Sequence, residues 1–343
     1  MTTTSPAEDA PRPRLTSRDI ARLAGVSQAT VSNAINRPHL VAESTLAQIV
    51  ELMARSGYVV NSSARTLKSG IGQALGVVVL DVANPFWGEV VKGIESVAAP
   101  GQIPLVIGSS NEDPRTERQI LESFESQGVR GILIAPTSAN LPLLRRLQAQ
   151  GIRVVLLDRD DPDGEFPSMS LDHAAGAALA ARFLREAGHL RVAVVNGSHE
   201  ISWCASRSRG FHAEYAHEPR ARLHELRMSA MSAEEGLRSV PRLLALRPRV
   251  TAVFCANDML ALGVLKGLAR QGVRVPEEVS VAGYDDAVFA ELLSPALTTV
   301  QQSAAAIGRE AAALMTDAAM DPAPRPGLPL PRLVVRQSVR RLA

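Results

Sequence analysis

The stretch LTSRDIARLAGVSQATVSNAIN, residues 15–36, decides the fold of the N-terminal part of the chain. Thr16 and Asp19 have the spacing of a capping box, which predicts that a helix begins here. We expect Gly25 to end this helix and Ser27 to cap a second one. Two short helices joined by a tight turn predict a helix-turn-helix, an arrangement that holds one helix in the major groove of DNA.

The side chains of this stretch divide into an inner and an outer set. The inner set is predicted to comprise Ile20, Ala21, Leu23, Ala24, Val31, Ala34 and Ile35. On the outer face Gln28, Ala29 and Asn33 are small or carry amides, which fit the edges of base pairs. An ordinary helical hairpin inside a larger core is the alternative interpretation.

A third helix and a polar segment follow. The helix is expected over residues 43–56, and its apolar face is predicted to contain Leu46, Ile49, Val50, Leu52 and Met53. The segment NSSARTLKSG, residues 61–70, has the composition of a linker. Between residues 11 and 72 there are eight Arg and Lys against three Asp and Glu, although the whole chain carries only +2. The basic excess therefore lies where phosphates would be met.

Composition sets the protein class. A chain of 343 residues with 46% hydrophobic residues is long enough for two or three domains. Cys204 and Cys255 are far apart and match neither a metal site nor a disulfide framework, so we expect reduced thiols in a cytoplasmic protein. No apolar run is long enough to span a bilayer, so no membrane partner is predicted. Residues 1–14 lack the apolar segment of a signal peptide and are predicted to be a flexible tail.

From residue 74 onward, short apolar runs alternate with helical patterns. Such alternation is typical of parallel sheets covered on both faces. Strands are predicted at ALGVVVLDV from Ala74, PLVIGSS from Pro104, GILIAP from Gly131, VVLLDR from Val154, RVAVVNG from Arg191, TAVFCAN from Thr251 and SVAGY from Ser280. Helices are predicted at 87–98, 114–127, 174–187 and 259–271. There are too many strands for one sheet, so we predict two doubly wound lobes.

Several of these strands end in polar residues. Ligands of doubly wound sheets bind beyond the carboxyl ends of the strands. We therefore predict that a cleft between the lobes is lined by polar side chains from Asp81, Asn84, Ser109, Ser110, Asp158, Arg159, Asn257, Asp258, Asp285 and Asp286.

Eight blocks of the sequence point to one family. They are DIARLAGVSQATVSNAIN, SGYVVNSSARTLKSG, LGVVVLDVANPFW, GILIAP, VVLLDR, CANDMLALGVLKGL, VPEEVSVAGYDD and LTTVQQ. Over almost its whole length the chain resembles the lactose-repressor/galactose-repressor (LacI/GalR) family of bacterial transcription regulators. The resemblance implies a homodimer on a palindromic operator, with an all-α helix-turn-helix head, a hinge helix and an α/β core like periplasmic sugar-binding proteins.

The resemblance also implies a domain plan. Residues 1–14 are the tail, 15–60 the DNA-binding domain, 61–72 the hinge helix, and 73–343 the effector-binding and dimerisation domain. The resemblance implies two crossings back between the lobes, so each lobe is discontinuous in sequence. One lobe would comprise about 73–170 with 300–328, and the other 171–299 with 329–343.

The family's DNA contacts can be placed residue by residue. In the head they fall on Thr16, Ser27, Gln28, Ala29, Thr30, Ser32, Asn33 and Asn36, and in the hinge on Ala64, Arg65, Leu67 and Lys68. The resemblance implies that Gln28, Ala29 and Asn33 read bases and that Leu67 is a wedge in the minor groove. Asn33 departs from the Arg or His common in relatives, and its amide suits adenine.

The family's effector contacts fall on Asn84, Phe86, Trp87, Asp158, Arg159, Arg207, Asn257, Asp285 and Gln302. Aromatic faces would cover the C–H surface of a sugar, while carboxylates, amides and Arg share its hydroxyls. Met231 stands where relatives often have an aromatic residue, which weakens the second stacking wall. Other roles stay open: Asp285 could cap a helix, Arg207 could pair with Glu200, and either aromatic residue could be core.

The function predicted from sequence is a ligand-responsive transcription regulator, most simply a repressor controlled by a monosaccharide. Control by a protein partner, or no effector at all, is the alternative, and a transport-associated sugar-binding protein is a distant one. An enzyme is not expected, because the sequence shows no GxSxG elbow, Walker loop, GxGxxG after a strand or metal-ligand cluster. No catalytic residue, metal or cofactor is therefore predicted.

Overall fold

The computed structural model describes residues 15–58, 74–159, 161, 164–316 and 328–342. The chain divides into two compact units, residues 1–70 and 71–343. We call the described part of the first the head and that of the second the effector unit.

The head consists of three α-helices. They are α1 (Ser17–Ala24), α2 (Gln28–Asn36) and α3 (Glu43–Ser56). The capping box is confirmed: Thr16 Oγ1 accepts from the Asp19 amide at 3.3 Å, and Asp19 Oδ2 accepts from the Thr16 amide at 2.9 Å. Gly25 ends α1 in a left-handed conformation with φ of 66°, which glycine adopts without steric cost. Ser27 caps α2 by accepting from the Thr30 amide at 3.0 Å. The predicted helix-turn-helix is confirmed.

Six buried apolar side chains form the centre of the head: Ile20, Ala21, Ala24, Val31, Ala34 and Ile49. Two predictions of burial were wrong: Leu23 of the inner set and Val50 of the apolar face of α3 are each 56% exposed. Successive residues of a helix are separated by about 100°. Val50 is therefore turned away from the core that its neighbour Ile49 enters.

The first lobe of the effector unit contains a five-stranded parallel sheet in the order β2-β1-β3-β4-β5. Its strands are β1 (Leu75–Val79), β2 (Leu105–Ser109), β3 (Gly131–Ile134), β4 (Arg153–Leu157) and β5 (Ser168–Met169). Both faces of the sheet are covered by helices: α4 (Pro85–Ala98), α5 (Pro114–Gln127), α6 (Leu141–Ala149) and α11 (Ala304–Thr316).

Alternate strand residues of this sheet enter two separate cores. Leu133 and Val155 face a cluster with α4 and α11. Ile132 and Val154 face a cluster with α5 and α6. Since both faces are buried, the strands appear in the sequence as continuous apolar runs.

The second lobe contains a four-stranded parallel sheet in the order β7-β6-β8-β9. Its strands are β6 (Arg191–Asn196), β7 (Arg222–Arg227), β8 (Ala252–Cys255) and β9 (Ser280–Ala282). Its helices are α7 (His173–Glu186), α8 (Ser202–Ala213), α9 (Ala233–Ala245) and α10 (Asp258–Arg270). The helices predicted at 87–98, 114–127, 174–187 and 259–271 match α4, α5, α7 and α10 to within two residues at each end.

The chain passes between the lobes more than once. After the second sheet, α11 packs against α4 of the first lobe and contributes Ile307, Ala311 and Met315 to its core. An antiparallel pair, β10 (Thr299–Gln301) with β11 (Arg332–Val334), lies beside this crossing. Beyond it, Ser338 bonds back to Val281 of the second sheet. The two doubly wound lobes are confirmed, and each contains segments distant in sequence.

Candidate functional site

The outer face of α2 is the candidate DNA surface. Gln28 and Ala29 are exposed, and Asn33 is half-buried. The Gln28 amide nitrogen donates to Ser17 Oγ at 2.9 Å, so α1 fixes the direction of this side chain. Ser27 Oγ and Thr30 Oγ1 lie 2.8 Å apart at the same helix end. The residues predicted to read bases therefore lie together on one helix, whose first turn is capped by Ser27.

Other predicted DNA contacts fall elsewhere. Thr16 belongs to the capping box of α1, Ser32 is half-buried on α2, and Asn36 ends that helix. The tail 1–14 and the hinge contacts lie outside the described residues, the latter being Ala64, Arg65, Leu67 and Lys68.

In the effector unit, five buried polar side chains form one continuous series, which we call the polar chain: Asp158, His173, Arg207, Asp285 and Gln302. His173 Nε2 lies 2.7 Å from Asp158 Oδ1, and its Nδ1 lies 3.3 Å from Arg207 Nη2. Arg207 Nη2 lies 3.5 Å from Asp285 Oδ1, which also accepts from Gln302 Nε2 at 2.7 Å. Arg207 pairs with Asp285, so the alternative pairing with Glu200 was wrong.

The polar chain joins residues from both lobes. Asp158 follows β4 of the first lobe, whereas His173 begins α7 and Arg207 lies on α8 of the second. Gln302 lies on the segment that returns to the first lobe. Strand ends and crossing segments meet here because the carboxyl ends of parallel strands share one edge of each sheet.

Two aromatic rings enclose the Arg207 guanidinium. Its Cζ lies 3.8 Å from the ring centre of Tyr284 and 4.6 Å from that of Trp203. Such cation–π contacts stabilise a cation that has lost its water. Arg207 also donates to the carbonyl of Ala256. Trp203 packs against the core of each lobe, so one indole touches both halves of the unit.

Burial and charged partners together shift the pKa values of the two acids of the polar chain in opposite directions. Loss of water raises the pKa of Asp285 to about 6, although Arg207 and Gln302 oppose the shift. Burial also disfavours the charge on Asp158, but His173 and Arg207 more than offset it and lower that pKa. Near pH 7 both acids are therefore ionised and partnered.

The other predicted effector residues have structural contacts. Asn84 Oδ1 caps α4 by accepting from the Phe86 amide at 3.0 Å. Asn257 caps α10 and donates to the Met231 carbonyl at 2.9 Å. The Arg159 guanidinium donates to the Pro136 carbonyl at 3.0 Å and to Ser138 at 3.2 Å. Trp87 is buried in the first core. These four side chains lie outside the polar chain.

A cavity of about 330 Å³ opens beside Asp285 and Gln302. Phe86 borders it, and so do Glu89 and Asp286. Small-molecule sites begin at about 300 Å³, so the space suits a ligand of modest size. Gln302, which lines the cavity, has a buried Oε1 without a hydrogen-bond partner, and so does the Nε of Arg207, which lies outside the lining.

Sequence reasoning missed three residues of this site: His173, Trp203 and Tyr284. His173 follows the Asp172 cap of α7, a position that pattern analysis assigns to helix initiation. Trp203 lies in α8, where apolar residues do not recur with a clear helical period. Only the fold brings them to Arg207.

Comparison with known proteins assigns the chain to a family. Residues 16–61 match the model for bacterial regulatory proteins of the lacI family, and residues 181–339 match a periplasmic binding protein-like domain. The HTH-type transcriptional repressor PurR of Vibrio cholerae is 31% identical over 310 residues, covering 89% of this chain and 92% of the relative. The chain belongs to the LacI family. This LacI-family chain is accordingly a DNA-binding transcription regulator.

Two further similar proteins cover most of the chain. The ribose operon repressor of Haemophilus influenzae is 31% identical over 304 residues, covering 86% of this chain and 89% of the relative. A LacI-family regulator of Enterococcus faecium, solved with bound ribose, superimposes with a TM-score of 0.70 at 27% identity, covering 79% of this chain and all of that one. Among the described residues, no helix is both long and apolar enough to cross a bilayer.

Proposed function

We propose that this LacI-family chain is a repressor that binds a palindromic operator as a dimer, with an affinity set by a monosaccharide or a close derivative. The observation that carries the effector assignment is the polar chain beside a cavity of about 330 Å³ bordered by Phe86.

The charges of the site favour a neutral, hydroxyl-rich ligand. Arg207 faces Asp285, and Asp286 faces Arg336 at 2.7 Å, so charged groups already have partners of opposite sign. A charged ligand would disrupt one of these ion pairs. The hydroxyl groups of a neutral ligand can instead donate to the carboxylates and accept from the guanidinium groups while the pairs stay intact. The ribose named for two relatives supports this ligand class.

The polar chain also supports a mechanism of control. It connects the first lobe at Asp158 to the second at Arg207 and Asp285. A ligand bound to these groups would favour one angle between the lobes and so change the population that binds DNA. Coupling of about 1–3 kcal/mol corresponds to regulation of about 5- to 150-fold.

A panel of D-ribose, D-galactose, D-glucose, D-fructose and hypoxanthine tests the ligand class by thermal shift on the full chain. A sugar present at 100 times its Kd should stabilise the protein by about 2.7 kcal/mol, which raises Tm by roughly 5–10 °C. The same sugar should change operator affinity, measured by fluorescence anisotropy. Stabilisation by hypoxanthine alone, or unchanged operator affinity at saturating sugar, would contradict the proposal.

We further propose that Gln28 and Asn33 specify bases on α2. Replacing either with alanine should change the preference at one symmetric pair of operator positions by about 1–3 kcal/mol, because an amide that pairs with a base edge is lost. Selection from random duplexes measures this preference. Ser44→Ala, on the exposed surface of α3, should leave the profile unchanged. Enrichment of single half-sites would argue against a dimer on a palindrome.

A further inference from the structure

One carboxyl group outside the polar chain joins the two segments that carry Asp285 and Gln302. Asp258 Oδ2 accepts from the Ala287 amide at 2.8 Å, two residues after Asp285. Its Oδ1 lies 2.7 Å from the Thr299 hydroxyl, three residues before Gln302. The side chain is 1% exposed and lies beneath both segments.

The segment around Asp285 needs such support. Asp285 and Asp286 have φ values of 113° and 57°, a left-handed region that non-glycine residues rarely adopt. A conformation of this kind persists only when several contacts hold it. The Asp285 amide donates to the Val300 carbonyl at 2.8 Å, and Asp258 adds the contact to Ala287.

Close packing fixes the position of Asp258. A Cβ atom built on Gly283 would lie 2.1 Å from Asp258 Oδ1, so the backbone of the segment rests directly against the acid. Small shifts of the carboxyl group must therefore move the segment itself.

The charges around Asp258 oppose its ionisation. The Asp258 carboxyl group faces two acids of the supported segment, Asp285 and Asp286. It also faces the buried thiol of Cys255 on β8. The nearby cations, Arg207 and Arg336, lie against those two other acids. Burial first, and then repulsion by Asp285, raise the pKa of Asp258 to about 8. Near pH 7 the acid is therefore mainly protonated, and its hydroxyl can donate to Thr299 Oγ1 across the same distance.

We infer that Asp258 is a positioning residue of the effector site, which holds the segments carrying Asp285 and Gln302 through its contacts with Ala287 and Thr299. The ligand part of this inference rests on the proposed function, whereas the positioning part does not. Ionisation adds a negative charge beside Asp285 and Asp286, so the segments are held most firmly at low pH and less firmly as the pH rises, with no further change well above pH 8.

Hydrogen exchange in the full chain, without ligand, tests the positioning. Between pH 7 and pH 9 the protonated fraction falls about tenfold for a pKa of about 8. The protection of backbone amides in the peptide spanning 283–303, corrected for intrinsic exchange rates, should fall as the protonated fraction falls. Asp258→Asn should stay protected at both values, because its amide can accept from Ala287 and donate to Thr299 without a charge. Asp258→Ala should be poorly protected throughout.

Ligand titration supplies the second readout. The sugar that binds in the thermal-shift panel is titrated at both pH values. Its Kd should rise about tenfold from pH 7 to pH 9 in the wild type and stay constant in Asp258→Asn. Asp113→Asn makes the same change at an exposed helix cap and should keep the wild-type pH profile. If no sugar binds, the proposed function fails and hydrogen exchange still decides the role of Asp258. Loss of protection at pH 7 in Asp258→Asn, or identical pH profiles for it and the wild type, would overturn the inference.

Discussion

Asp285→Ala is expected to weaken sugar binding by at least about 100-fold. The variant removes an acceptor beside the cavity and leaves the Arg207 guanidinium, 3% exposed, without its carboxylate. Two charge-assisted hydrogen bonds of about 1.5 kcal/mol each account for a loss of this size. Calorimetric titration of the full chain measures the Kd.

The same variant should also destabilise the effector unit. Leaving one member of a buried ion pair costs about 3–5 kcal/mol, so binding must be measured on protein shown to be folded by circular dichroism. Asp285→Asn keeps the shape of the side chain and should lose less stability than Asp285→Ala. Glu200→Ala is a matched control, because Arg207 pairs with Asp285 and not with this residue. Unchanged affinity in Asp285→Ala would exclude Asp285 from the effector site.

Ile49→Ala is expected to abolish operator binding while leaving sugar binding intact. Ile49 is fully buried, and truncating such a side chain costs about 2–5 kcal/mol. The head is small, with six buried apolar side chains at its centre, and small domains have little stability to lose. The head should therefore unfold. The effector unit is a separate compact unit and should keep its Kd for sugar.

Val50→Ala provides the control for Ile49→Ala. Val50 is the next residue of α3 but is 56% exposed, so its truncation should change stability by less than about 0.5 kcal/mol. Operator anisotropy and head helicity by circular dichroism should separate the two variants. Normal operator binding in Ile49→Ala, or loss of sugar binding with it, would contradict the division into two units.

The sequence predicts those elements whose physical cause is local. The capping box and Gly25 define α1 because their hydrogen bonds and backbone angles involve neighbouring residues. Buried strands such as β3 are visible as apolar runs because both faces are covered. The strand β7, RLHELR, escapes this signal because it lies beside β6 at the edge of the sheet, where polar side chains are tolerated. In the head, Leu23 was wrongly predicted to be buried, because helical spacing alone does not show how many residues of a helix face are covered.

The candidate site divides in the same way. Asp158 and Asp285 could be predicted because each directly follows a strand or a short loop after one. His173, Trp203 and Tyr284 could not, since their meeting at Arg207 depends on helices and loops that the sequence separates. The sequence predicts that Asp258 lines the cleft, yet its carboxyl group lies beneath the segment that carries Asp285. Strand-end reasoning locates the edge of a sheet but does not distinguish a lining residue from a supporting one.

The placement of Trp203 gives the molecule a built-in optical reporter. The chain has two tryptophans, Trp87 and Trp203, and both lie in the effector unit. The head contributes no indole, so tryptophan emission arises entirely from the effector unit. Trp203 touches the cores of both lobes and the Arg207 cation. Relative movement of the lobes therefore alters the polarity and quenching felt by this ring, and opening of the cleft can be followed in real time without attaching a dye.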